Sequence, residues 1–162
     1  MPFVNDCDGD FTVDFRTRPG RGGGSRITEL LWGDPVHPTG ETEGGFTRVF
    51  ARGRRDPGWM PTDCITDDGL LEFYVIDVGQ GDSVLIRTPD DRWHLIDAGV
   101  SNERQMTGKG AANFIRWKFL NDLRLPSVDL ATITISHPDF DHYGDLLNSC
   151  RATSVTGVPP LT

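Results

Sequence analysis

Cysteine is scarce and scattered: Cys7, Cys64 and Cys150 are odd in number and form no C-x-x-C pair. A disulfide framework or a cysteine zinc site is therefore not expected, and each is read as a free thiol. No apolar run approaches the roughly 20 residues that span a bilayer. The start, Met1-Pro2-Phe3-Val4-Asn5-Asp6-Cys7-Asp8, lacks the basic-then-apolar order of a secretory signal. These absences lead to the expectation of a cytoplasmic protein with no membrane segment. Basic residues are also short, giving a formal net charge of -8. Residues 1–66 hold 8 Lys and Arg against 10 Asp and Glu, and residues 67–162 hold 8 against 14. A broad nucleic-acid-binding face needs Lys/Arg stripes and is disfavoured, although a nuclease with local substrate contacts is not. There is no internal repeat. The glycine-rich stretch Pro19-Gly20-Arg21-Gly22-Gly23-Gly24-Ser25 has no G-K-[ST] after it and reads as a surface loop, not a phosphate cradle.

What is present suits one ordinary domain or two small ones: 162 residues, 36% hydrophobic and 25% charged. Around the glycine loop, short runs alternate with turn residues. Phe11, Val13 and Phe15 alternate with Thr12 and Asp14, the period of a strand. Ile27 to Trp32 is largely apolar and ends at Gly33-Asp34-Pro35, while Phe46 to Arg52 is β-rich and precedes Gly58-Trp59-Met60-Pro61. Such spacing predicts a small barrel or sandwich. The Phe15-Arg16 to Pro19 strand and loop, Leu31-Trp32-Gly33-Asp34-Pro35-Val36, Phe46-Thr47-Arg48-Val49 and Gly58-Trp59 resemble a bacterial SH3-like domain over roughly residues 10–66. That resemblance implies a peptide- or cell-wall-binding module or a docking domain. Trp32 and Trp59 are assigned to core packing ahead of a ligand groove.

After a polar linker at 67–69 the character changes. Leu70 to Ile76, Ser83 to Arg87 and Trp93 to Ile96 read as three strands joined by short turns, an antiparallel meander. Over 109–124 the period becomes helical, with Ala112, Ile115, Phe119 and Leu123 on one stripe and Pro126 just beyond. Leu130 to Ile135 is β-branched and uncharged, the composition of a central strand. A second helix is expected from near Asp141 through Leu146-Leu147.

The densest chemistry lies between that last strand and helix. In Ser136-His137-Pro138-Asp139-Phe140-Asp141-His142, four potential metal ligands fall within six residues. Imidazole nitrogens and carboxylate oxygens are the donors that borderline and hard divalent ions prefer, and a strand end is where such a site is built. The polar-turn alternative explains isolated His-Asp pairs but not four donors together. His37 and His94 lack ligand spacing and are read as surface or packing residues.

Three motifs in order, Val75-Ile76-Asp77-Val78-Gly79-Gln80-Gly81-Asp82-Ser83, Leu95-Ile96-Asp97-Ala98-Gly99 and Ser136 to His142, resemble the metallo-β-lactamase-fold hydrolase domain of ComEC-type competence proteins. The fold class implied is α+β: a small SH3-like β-barrel at 1–66, then the first half of an αββα sandwich at 70–162. Against the superfamily pattern H-x-H-x-D-H, His137 matches a ligand of the first metal, and Asp141 and His142 match ligands of the second. Asp141 is also carried as the catalytic position. Asp139 stands where most members have histidine, as in the ComEC-type branch, and this harder donor lets Mn²⁺ or Mg²⁺ compete with Zn²⁺. It also counts against hydrolysis of β-lactam drugs. The cofactor expected is one or two divalent ions, Zn²⁺ or Mn²⁺. Asp97 resembles the residue that orients the ligand loop from behind, with a turn-forming aspartate as the plain alternative. Asp82 and Gln80 lie on a loop the family places near the metals, with turn formation read first and a site role second.

The bridging aspartate and remaining histidines of the family have no counterpart here, because no histidine follows His142. The expectation is an incomplete N-terminal portion or a truncated relative, inactive alone unless another chain or a C-terminal half completes it. The leading reading is a metal-dependent hydrolase of phosphodiester or nucleic-acid substrates. The alternatives are a non-catalytic interaction protein using the SH3-like module, and a hydrolase of thioesters or small esters.

Overall fold

A computed structural model of the chain describes residues 1–7, 9–51, 54–105, 109–146 and 148. Asp8, Arg52, Leu147 and Cys150, named above, lie outside the described residues. The chain divides into two compact units, Met1–Leu70 and Leu71–Thr162.

The first unit is built almost entirely of strands: β1 (Phe3–Val4), β2 (Thr12–Arg16), β3 (Arg26–Leu31), β4 (Val36–Glu43), β5 (Phe46–Ala51), β6 (Gly58–Pro61) and β7 (Ile65–Thr66). Five of them form a sheet in the order β3-β2-β6-β5-β4, and β1 pairs with β7. The alternation read from the sequence becomes the core: Val13 and Phe15 of β2, Leu30 of β3, Val49 and Ala51 of β5 and Met60 of β6 point inward with Val4, Val36 and Cys64. Among the described residues the sheet is open, since end strands β3 and β4 do not pair. The small SH3-like barrel expected from the sequence is therefore not specifically shown, since no sheet among the described residues is closed.

Two other expectations fail here for identifiable reasons. Cys7 and Cys64 are not free thiols but a disulfide with Cα atoms 5.3 Å apart. Counting cysteines could not reveal it, because the β1–β7 pairing carries Val4 opposite Ile65 and so brings positions 57 residues apart together. Phe11 does not continue the inward row of β2. Its φ of 53° breaks the extended backbone, and its ring stacks on Trp32 at 5.7 Å, leaving both rings exposed, not in the core. Strand β4 was not anticipated because Pro38 and Gly40 interrupt its sequence. Both are tolerated at the sheet edge, where one row of backbone groups needs no partner.

The second unit has a four-stranded sheet in the order β11-β10-β9-β8, from β8 (Glu72–Val75), β9 (Val84–Arg87), β10 (Trp93–Ile96) and β11 (Thr132–Thr134). The first three are an antiparallel meander. β11 joins β10 in parallel after helix α1 (Ala111–Arg116) and its π-helical continuation (Trp117–Asp122). The predicted stripe is the buried one: Ala112, Ile115, Phe119 and Leu123 are all buried. Phe119 packs on Trp93 at 4.8 Å and Phe114 reaches Tyr74 at 5.9 Å, so α1 covers the face bearing Tyr74, Trp93 and Leu95. Beneath it Arg87, 1% exposed, is held by Asp91 at 2.7 Å, which satisfies a buried guanidinium that would otherwise be costly.

The opposite face carries Phe73, Val75 and Ile96, with Val75 84% exposed. β11, expected to be central, is the edge strand among the described residues, and its three residues are exposed. Its composition fits cover on both sides, but the described residues supply a neighbour on one side only.

Candidate metal centre

The site forms where β10 and β11, neighbours in register, both run out. Past Ile96 the chain turns at Asp97, whose φ of 56° is tolerated best by small polar residues. Its N–H donates to the Thr134 carbonyl at 2.9 Å, which anchors the turn to the end of β11. Past Thr134 the chain enters Ser136 to Asp139, and helix α2 (Phe140–Tyr143) begins with Asp139 as its N-terminal cap residue. The Ala98 N–H donates to the His142 carbonyl at 2.7 Å and closes the two segments on each other.

The carboxylate of Asp97, 3% exposed, is the hub. Its Oδ1 accepts from the Ser136 N–H at 2.8 Å. Its Oδ2 accepts from the Ser136 hydroxyl at 2.7 Å and from His142 Nδ1 at 2.9 Å. Burial pushes the Asp97 pKa up, but the bonds from His142 and Ser136 outweigh it and hold the group below the usual carboxylate range. The same bond lifts the His142 pKa above its ordinary value against the opposing effect of burial, with the charges of Asp97, Asp141 and Asp82 adding to the rise.

The two imidazoles lie side by side, ring centroids 3.7 Å apart. His137 turns Nε2 toward Asp139 Oδ2 at 3.4 Å, and His142 turns Nε2 toward Asp141 Oδ1 at 3.9 Å. The four candidate ligands thus lie as two imidazole–carboxylate pairs that meet through the two rings. Among the described residues no group of three or more His, Cys, Asp or Glu side chains converges as a set that could hold a metal ion. The donor chemistry nevertheless fits a divalent cation. Both rings are held at Nδ1, and a carboxylate stands beside each Nε2.

The loop of residues 79–82 closes over this segment by its backbone. Gly81 has φ +85°, and a Cβ there would fall 1.7 Å from the Asp141 carbonyl oxygen, so only glycine permits the approach. Asp82 is exposed and close enough for its charge to raise the His142 pKa. Gln80 contributes backbone: its N–H donates to Val78 and its carbonyl accepts from Val100 at 3.4 Å. His94 sits apart from the site and bonds Thr132 Oγ1 through Nδ1 at 2.8 Å.

Two residues were missed in the sequence. Ser136 joins Asp97 to both imidazoles, lying 3.1 Å from His137 Nδ1 and 3.3 Å from His142 Nδ1. The signal available was a hydroxyl residue directly before the first histidine. Asp145 is fully buried and accepts from the Ala112 N–H in the first turn of α1 at 2.9 Å. Its spacing of three and four from His142 and Asp141 placed it on their helix face.

No curated protein and no solved structure matches the chain. The family model of the metallo-beta-lactamase superfamily matches residues 76–161, just over half of the sequence and all three motifs from Ile76 onward. Members of that superfamily generally bind divalent metals, usually zinc, and the match supports a metal-dependent hydrolase at that coarse level. On that match, the chain belongs to the metallo-beta-lactamase superfamily.

Proposed function

We propose that the second unit carries a hydrolytic metal site acting on phosphodiesters, nucleic acid included, and related to the ComEC-type branch. His137, Asp139, Asp141 and His142 would hold one or two divalent ions, Zn²⁺ or Mn²⁺. Asp97 orients the set from behind. The observation that supports this most is the bond from His142 Nδ1 to the buried Asp97 carboxylate, which leaves Nε2 facing Asp141. A divalent ion supplies acidification of water and polarisation of the scissile group, and a pair of ions suits phosphodiesters by stabilising both entering and leaving oxygens. The chain's own residues present the donors and fix their direction. The carboxylate at position 139 favours Mn²⁺ more than a second imidazole would.

Metal content of the purified chain is the first test. Tightly held Mn or Zn lost in His137→Ala is expected. Less than about 0.1 equivalent, unchanged by that substitution, sinks the reading. Given metal, a phosphodiester reporter against a thioester separates the proposed substrate class from small-ester hydrolysis.

A second reading concerns the first unit. The exposed, stacked Phe11–Trp32 pair supports an SH3-like module that takes a peptide or cell-wall ligand, because stacked rings offer large, rigid contact area. Titration with peptidoglycan fragments should shift Trp32 fluorescence, and Phe11→Ala should abolish the shift. No shift with fragments or peptides removes this reading.

A further inference from the structure

We propose that Ser136 is a positioning residue that sets the tautomer of His137 by relaying the charge of Asp97, which fixes the tautomer of His142 directly. The inference rests on the hydrolase reading for its purpose and on hydrogen-bond geometry for its content.

A serine hydroxyl has one proton to give and two lone pairs to accept with, whereas an ionised carboxylate only accepts. Asp97 Oδ2 lies 2.7 Å from Ser136 Oγ, so the serine proton must point to it. The same oxygen lies 2.9 Å from His142 Nδ1, so that nitrogen must carry a proton as well. Ser136 Oγ has then spent its proton and faces His137 Nδ1 at 3.1 Å with lone pairs alone. A bond there requires His137 to be protonated on Nδ1 too. Each step follows from the one before, beginning at one charged group. The outcome is two neutral imidazoles whose unprotonated Nε2 atoms face Asp139 Oδ2 at 3.4 Å and Asp141 Oδ1 at 3.9 Å.

Without Ser136 the two rings part company. His142 keeps its direct bond to Asp97. His137 loses the only Nδ1 partner it has among the described residues, and a histidine left to water favours the proton on Nε2, which removes the lone pair a metal would take. The serine backbone bond to Asp97 Oδ1 at 2.8 Å survives replacement of the side chain, so Ser136→Ala should retain the loop.

Two-bond ¹H–¹⁵N spectra of the histidine rings in the metal-free full chain, above the histidine titration range, read the tautomers directly. Nδ1–H patterns are expected for His137 and His142. Ser136→Ala should convert His137 alone to Nε2–H, and Ser136→Thr, which keeps the hydroxyl, should restore it. An Nε2–H pattern for His137 in the unaltered chain overturns the proposal without need of any variant, as does an unchanged His137 in Ser136→Ala. Divalent-metal affinity should fall about 10- to 100-fold in Ser136→Ala and recover in Ser136→Thr. A chain that holds no metal yet shows both Nδ1–H tautomers supports this inference while defeating the hydrolase reading, so the two fail separately.

Discussion

Single residues in this chain do unusual things where the backbone leaves no choice. Gly79 and Gly81 both take positive φ, +73° and +85°, but a Cβ at Gly79 meets open space while one at Gly81 meets the Asp141 carbonyl. Gly79→Ala is therefore expected to cost about 1 to 2 kcal/mol, the ordinary penalty of left-handed backbone. Gly81→Ala should cost clearly more and displace the ligand loop. Thermal denaturation of the two variants checks the difference, and equal losses would show that the close approach does not hold. Tyr74 makes a second residue-level case. Burial, reinforced by its hydrogen bond to Glu72, pushes its pKa far above the usual tyrosine value. A group held protonated in the folded chain stabilises it fully below the unfolded pKa of about 10 and loses that contribution as pH rises beyond it. Absorbance titration should show one of the two tyrosines ionising abnormally late, together with stability falling above about pH 10. If both tyrosines ionise near the ordinary value, the buried contact is wrong.

At the scale of elements, Asp145 links the site helix to α1. Its carboxylate accepts from the Ala112 N–H, one of the first-turn donors that a helix cannot satisfy internally, and a negative charge there also suits the helix dipole. Asp145→Ala should destabilise the chain by about 1 to 3 kcal/mol, the cost of a buried group left unpaired, and hydrogen exchange at the Ala112 amide should accelerate. An amide as protected as before would assign the cap elsewhere. The elements themselves were legible in proportion to their periodicity. The stripe Ala112, Ile115, Phe119 and Leu123 is visible because one helix face must be apolar, and it is the buried face. Strand β4 was not visible, because an edge strand needs neither alternation nor freedom from Pro38. The composition of β11 overstated its cover, since β-branched residues report a preference for extended backbone and not which neighbours arrive.

For the molecule as a whole, the disulfide is the largest departure from what the cysteine count implied. Cys7 and Cys64 close a long loop in the first unit, and such a closure contributes about 2 to 4 kcal/mol. Alkylation under denaturing, non-reducing conditions should leave both unmodified until a reductant is added, and reduction should lower the melting temperature. Immediate alkylation of both would mean that the bridge is not formed. Its presence favours an oxidising setting and sits poorly with the cytoplasmic expectation. No helix among the described residues is long and apolar enough to cross a membrane.

Local chemistry can be read along the chain: which residues are donors, where the strand preceding them ends, and the family whose model they match. These are properties of short segments, where spacing along the chain is spacing in space. Only the tertiary structure decided the pairings that cross long separations. It put the Asp97 carboxylate on Ser136 and His142, Cys7 on Cys64, Asp145 under α1 and Gly81 against Asp141. Each depends on which strands lie side by side, and strand order is set by burial summed over the whole unit, which no single segment contains.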